Sequence, residues 1–117
     1  MIGFYKKLEK LTTLPIGWNG HHSIPISKSN AFFASQIAEH LHRLIDDIPQ
    51  IIPGSNGNLQ LEIQQSNASV KIHIIRATKI KISVKFDGKI IFEHIFNSSD
   101  KIIEWINMTW NHRNVSV

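Results

Sequence analysis

From Leu59 to Phe86 the chain alternates apolar and polar residues almost without a break. A segment patterned this way can satisfy its side chains only as a sheet with one dry face and one wet face. Leu59, Leu61 and Ile63 alternate with Gln60, Glu62 and Gln64, and Val70, Ile72 and Ile74 with Lys71 and His73. Ile80, Ile82, Val84 and Phe86 alternate with Lys79, Lys81, Ser83 and Lys85. A further strand, Lys89 to Phe96, follows Asp87-Gly88, a dipeptide that favours a tight hairpin. The connections are all short, so the pattern predicts a four-stranded antiparallel meander.

That hairpin carries a conflict of register. A plain two-residue turn sets Val84 opposite Ile91 and Ile82 opposite Glu93, whereas the apolar pattern pairs Val84 with Phe92 and Ile80 with Phe96. A slip of one residue exchanges the two faces. A bulge or a longer turn is expected, with Phe92 and Phe96 facing inward, because burying Glu93 is the costlier outcome.

Helices flank the strands. Phe4, Leu8 and Leu11 recur at helical spacing, so a short amphipathic helix is predicted over Gly3 to Leu11. Ser27 is a good N-cap for a long helix with an apolar stripe of Ala31, Ala34, Ala38, Leu41 and Ile45, ending at Asp46-Asp47-Ile48-Pro49. Ser98 or Ser99 caps a last helix running to about His112, with Asp100 favourably placed in its first turn. The predicted fold class is α+β, order α-α-β-β-β-β-α, with the helices packed on one face of the sheet.

The 117 residues, 42% of them hydrophobic, suit a single domain over residues 1–117. With no cysteine there is no disulfide and no thiolate nucleophile or ligand, and the expected setting is the cytoplasm. The N-terminal residues carry lysines and no apolar run, which argues against a signal peptide or membrane span. A net charge of +4 favours acidic partners in general.

Few constellations point to chemistry. Lys71, His73, Lys79, Lys81 and Lys85 fall on the predicted solvent face and form a basic stripe, read as a solubility device or as a surface for nucleic acid. The central strands lack exposed aromatics for base stacking, which weakens the second reading. Adjacent His21 and His22 diverge, His40 and His42 sit on different helix faces, and His73 with His94 is at best a weak pair across strands. No metal site and no cofactor is expected. No nucleophile elbow, triad or phosphate loop occurs, so no catalytic residue is assigned and the chain reads as a non-enzyme.

Two apolar features point to binding. In the last helix Ile102, Ile103, Ile106 and Trp110 supply a core face, while Trp105 and Met108 lie on another side and offer a surface for a partner or a second copy. The helix could equally be covered by the N-terminal one. The segment Leu14-Pro15-Ile16-Gly17-Trp18-Asn19-Gly20 precedes Pro25-Ile26-Ser27 and forms a built loop in which Trp18 is either a core plug or a binding anchor.

That loop, the Pro25-Ile26-Ser27 helix start, Ala31 and Ala34, and the stretch Pro53 to Glu62 together resemble a family of small uncharacterised bacterial proteins. Its pattern is a Leu-Pro-x-x-Trp-Asp-Gly loop, a Pro-Ile-Ser helix start and an Asp-Gly-Gly-Ile-x-Leu-Glu-Trp strand. This chain has Asn19 and Asn56 where that pattern has Asp, Asn58 where it has Gly, and Ile63 where it has Trp. The resemblance implies an accessory protein of mobile or defence-related gene regions. If the two motifs meet, Trp18, Asn19, Gly20, Asn56, Gly57 and Glu62 line one patch. The expected function is a non-enzymatic cytoplasmic interaction protein, of antitoxin, immunity or accessory type, that binds a partner protein and forms a possible homodimer. Alternatives are a nucleic-acid-associated module using the basic face and a small enzyme with a polar site around Asn19 and Glu62.

Overall fold

A computed structural model describes residues 1–18 and 23–115, with side chains described as far as residue 109. Three helices, α1 (Ile2–Thr12), α2 (Lys28–Ile45) and α3 (Ser99–Val115), accompany five strands. These are β1 (Gln50–Pro53), β2 (Leu59–Gln65), β3 (Ala68–Arg76), β4 (Lys79–Phe86) and β5 (Lys89–Phe96). The sheet is an antiparallel meander in the order β1-β2-β3-β4-β5.

The sheet therefore has five strands, not four. The extra one, β1, is four residues long and ends on Pro53, so it is too short for alternation to reveal and contains a residue that cannot donate to a ladder. It forms because β2 would otherwise present an open edge, and its pairs run from Gln50 with Glu62 to Pro53 with Leu59.

The alternating residues face as their pattern requires except Phe86, which ends β4 beside the turn and is 45% exposed. Leu59, Leu61, Ile63, Val70, Ile72, Ile74, Ile80, Ile82 and Val84 are buried in one core with Phe4 and Leu8 of α1, Ile37 and Leu41 of α2, and Ile102 and Ile106 of α3. The intervening residues of β2, β3 and β4 are partly or fully exposed. All three helices contribute to the same dry face, with α2 between its neighbours: α1 packs on α2 and β1, and α3 on α2 and β5.

At the β4–β5 hairpin both demands of the sequence are met. Asp87 at φ 51° and Gly88 at φ 79° form a two-residue turn with the positive-φ pair that the strand twist favours. Phe86 pairs with Lys89 and Lys85 with Ile90, but Val84 pairs with Phe92, so Ile91 is the extra residue of a bulge. Beyond it Ile80 pairs with Phe96, and Glu93 lies on the wet face across from Ser83. A second irregularity falls at Ile75, between the pairs Ile74–Ile80 and Arg76–Lys79.

The helix ends follow local chemistry. Ser27 Oγ accepts from the Asn30 amide at 3.1 Å, and Ser98 Oγ accepts from the Lys101 amide at 3.3 Å. Asp46 adopts the left-handed conformation that ends α2, and its N–H donates to His42 O at 3.0 Å. Side chains tie the helices together: the Tyr5 hydroxyl donates to Glu39, and His40 Nε2 is hydrogen-bonded to Asn107 Oδ1. The cover over α3 is thus α2, with α1 placed at the other side of the layer.

Candidate functional site

Three surfaces carry the residues singled out from the sequence. The first is the Trp18 loop. Gly17, at φ 78°, donates its N–H to Ser23 O at 2.6 Å, and the indole nitrogen of Trp18 donates to Ile24 O at 3.2 Å. Ile24 bridges Asn56, its N–H donates to Ser55 O at 2.9 Å, and the Ser27 N–H donates to Gly57 O at 3.1 Å. The segment of residues 24–27 and the turn of residues 55–57 are therefore hydrogen-bonded as one unit. Gly57 is at φ 79°, and a Cβ there would come within 3.4 Å of Pro25 O. Trp18 is half-buried and held by its own loop.

Glu62 does not join that unit. It lies on the wet face of β2, across from Lys71, and its Oε1 is 3.4 Å from Lys71 Nζ. Asn19 and Gly20, together with His21 and His22, lie outside the described residues.

The second surface is the wet face of the sheet. Here cross-strand rows bring Glu62, Lys71, Ser83 and Glu93 into line, and Gln60, His73, Lys81 and Ile95 into the next row. Lys81 Nζ is 3.5 Å from Glu93 Oε1, so two of the stripe's lysines, Lys71 and Lys81, are spent on neighbouring carboxylates. Lys79 and Lys85 have no carboxylate partner among the described residues. Burial lowers the pKa of His73 below the usual imidazole value, and the positive charge of Lys81 beside it lowers it further. His94 pairs with Ile82 on the opposite face from His73, so the two imidazoles are separated by the sheet itself.

The third surface is the β5 edge and the cleft beside it. Ile90, Ile91 and Ile95 are 55%, 56% and 52% exposed, and Phe86 is 45% exposed. Next to them Trp105 of α3 stacks on Phe92 with ring centroids 4.8 Å apart and planes 13° from parallel, and it also meets Phe96. Trp105 is thus turned onto the sheet, while Met108, one turn on, is 61% exposed. Behind the stack lies a cleft of about 250 Å³ lined by Ile63, Val70, Val84, Ile91 and Phe92 with Trp105. The side chain of Trp110 lies outside those described.

The two edges of the sheet differ sharply. β1 is short, ends in proline, and is covered by α1, from which Lys7 Nζ donates to Ile51 O at 3.0 Å. These are the devices by which a sheet edge is closed to other strands. β5 is eight residues long, contains no proline, and carries exposed isoleucines, and what guards it is the bulge at Ile91 and the charges of Lys89 and Glu93, with α3 packed beside it. A meander places its last strand at an edge; what alternation could not reveal is that the other edge is closed by β1 and α1. The one hint that β5 stays open was an uninterrupted apolar run, Ile90-Ile91-Phe92, that a half-wet strand does not need.

Compared with models of protein families, with curated proteins and with solved structures, the chain matches none. No described helix is long and apolar enough to cross a membrane.

Proposed function

We propose that this protein is a non-enzymatic interaction module whose working surface is the β5 edge together with the cleft beside Trp105. The observation that carries the proposal is the inequality of the two edges: β1 is closed by proline, shortness and α1, while β5 is left open with Ile90, Ile91 and Ile95 half-exposed. Exposed, long, apolar edges are costly to keep in a soluble chain unless a partner covers them. An extended segment laid along β5 would pair with its outward main-chain groups and could place an apolar side chain in the neighbouring cleft. An antitoxin, immunity or accessory role, as the resemblance of the Trp18 loop implies, fits a small chain of this kind.

Two observations weigh on the alternatives. Pairing of Lys71 and Lys81 with Glu62 and Glu93 leaves the wet face with less free positive charge than its lysine count suggests, which disfavours a nucleic-acid platform. Glu62 is engaged by Lys71 and far along β2 from the Trp18 loop, so it offers that loop no acid for chemistry.

The test is affinity capture from the native host with three baits: the unmodified protein, Ile95→Lys, and a Lys79→Ser/Lys85→Ser double variant. A partner protein lost with Ile95→Lys and retained by the double variant supports the proposal. A partner lost with the lysines, released steeply by salt and containing nucleic acid, overturns it.

A further inference from the structure

We infer that the occupant of the β5 edge is a second copy of this chain, paired antiparallel about a two-fold axis at His94. This rests on the proposal that β5 is the working edge, and it adds the identity and register of the partner strand.

The argument begins with which part of β5 can pair regularly. The bulge at Ile91 interrupts the strand on one side and the strand ends at Phe96 on the other, leaving the five residues from Phe92 to Phe96, whose midpoint is His94. A two-fold axis there uses all five. It sets Phe92 against the other copy's Phe96, Glu93 against its Ile95, and His94 against its own counterpart.

The side chains agree with that register on both faces. On the helix side, Val84, Phe92, the second copy's Phe96 and its Ile80 would form one apolar row, continuing the pairs Val84–Phe92 and Ile80–Phe96 already present in each chain. Aromatic pairs directly across strands are among the favourable ones. On the wet side each Glu93 keeps its Lys81 at 3.5 Å and meets an isoleucine, not another carboxylate. Moving the axis one residue toward the turn opposes Glu93 to Glu93 and draws the Ile91 bulge into the ladder. Moving it one residue the other way requires Asn97, which lies beyond the strand. The centred register alone avoids both faults.

Area sets the strength. The five paired residues span about 17 Å, and with side chains on both faces they offer a few hundred Å² per copy, short of the ~800 Å² per partner of a standard interface. The dimer is therefore a weak, concentration-dependent one.

Sedimentation equilibrium of the unmodified protein between 5 and 200 μM should show the mass rising from 13.4 kDa toward twice that value. Ile95→Glu, which opposes a carboxylate to the other copy's Glu93, should hold it at the monomer, whereas Ile95→Lys, which opposes an ammonium to it, should not. Because the chain has no cysteine, single cysteines report the register directly. His94→Cys should form an intermolecular disulfide on mild oxidation, whereas Lys89→Cys, tens of ångströms from its counterpart in this arrangement, should link at least tenfold more slowly. Circular dichroism of each variant confirms folding. An unmodified protein that stays monomeric at 200 μM overturns the inference. So does a dimer that survives Ile95→Glu, or one in which Lys89→Cys links as readily as His94→Cys, since either outcome places the contact elsewhere. If the protein is monomeric yet loses a different host protein on Ile95→Lys, the working edge stands and only the second copy is refuted.

Discussion

The side-chain nitrogen of Asn30 donates to the main-chain oxygen of Ile75 at 3.0 Å, joining the first turn of α2 to the bulge in β3. The same nitrogen donates to Gly57 O, also at 3.0 Å, and Asn30 is only 4% exposed. A bulge leaves one residue out of the ladder, and its carbonyl needs another donor if it is not to be buried unpaired. One amide thus secures the long helix, the bulge and the turn that receives the Trp18 loop.

Replacing Asn30 by alanine should cost about 1–3 kcal/mol in urea unfolding. Gly57 O retains the Ser27 N–H, so the loss falls on the Ile75 carbonyl. Asn30→Asp should be worse than alanine at neutral pH, because an ionised carboxylate cannot donate and would face two carbonyl oxygens.

Two glycines with the same φ of 79° separate conformational strain from crowding. A Cβ on Gly88 meets nothing within 4 Å, so Gly88→Ala should cost only the left-handed penalty of about 1–2 kcal/mol. Gly57→Ala adds contacts at 3.4 Å with Pro25 O and 3.5 Å with Ile24 Cδ1, and should lower the thermal midpoint further than Gly88→Ala does.

The cleft beside Trp105 should accept an added methylene. Val84 lines it and is 8% exposed, so Val84→Ile should stabilise the fold by about 0.8 kcal/mol in chemical denaturation. Destabilisation instead would mean that the space is already filled in solution.

Ion pairs on the wet face should contribute little. The side chains of Lys71 and Glu62 are 45% and 26% exposed, and those of Lys81 and Glu93 are 41% and 42% exposed. Lys71→Gln and Lys81→Gln should each shift unfolding by less than about 1 kcal/mol, and the shift should shrink further in high salt.

His73 gives the face a pH signature. Its folded-state pKa is lowered, first by burial and second by Lys81, so the unfolded chain takes up the proton at a higher pH than the folded one. The contribution to stability is complete above the ordinary imidazole value of about 6.5, falls as pH drops below it, and levels off beneath the folded-state value. An NMR titration should place the His73 midpoint below about 6.5, and Lys81→Gln should move it upward. A midpoint above the ordinary value contradicts this account, and His73→Gln should remove its part of the pH dependence.

Much of this architecture was legible in residue order. Alternation from Leu59 to Val84 determined which side chains are dry, though not at Phe86; Ser27 and Ser98 marked helix starts, and Asp87-Gly88 against the Phe92 and Phe96 pattern demanded a bulge or a longer turn, of which the structure has the bulge. These are local matters, decided by side-chain periodicity and turn chemistry within a few residues. The meeting of residues 24–27 with residues 55–57 entered the sequence reading only as a condition, and it took the folded chain to supply it. Tertiary structure alone decided the rest. The pattern of β1 is too short to register, so it became a strand only because β2 offered it an edge. The reach of Asn30 to Ile75 spans 45 positions and leaves no periodic trace. Which strand ends up as the open edge depends on the order of the whole sheet and on where α1 comes to rest. Ile95 is wet because the hairpin register pairs it with Lys81, which the pattern of Phe92 and Phe96 already required, whereas the uncovered edge beside Ile91 is a property of the assembled layer and of no segment taken alone.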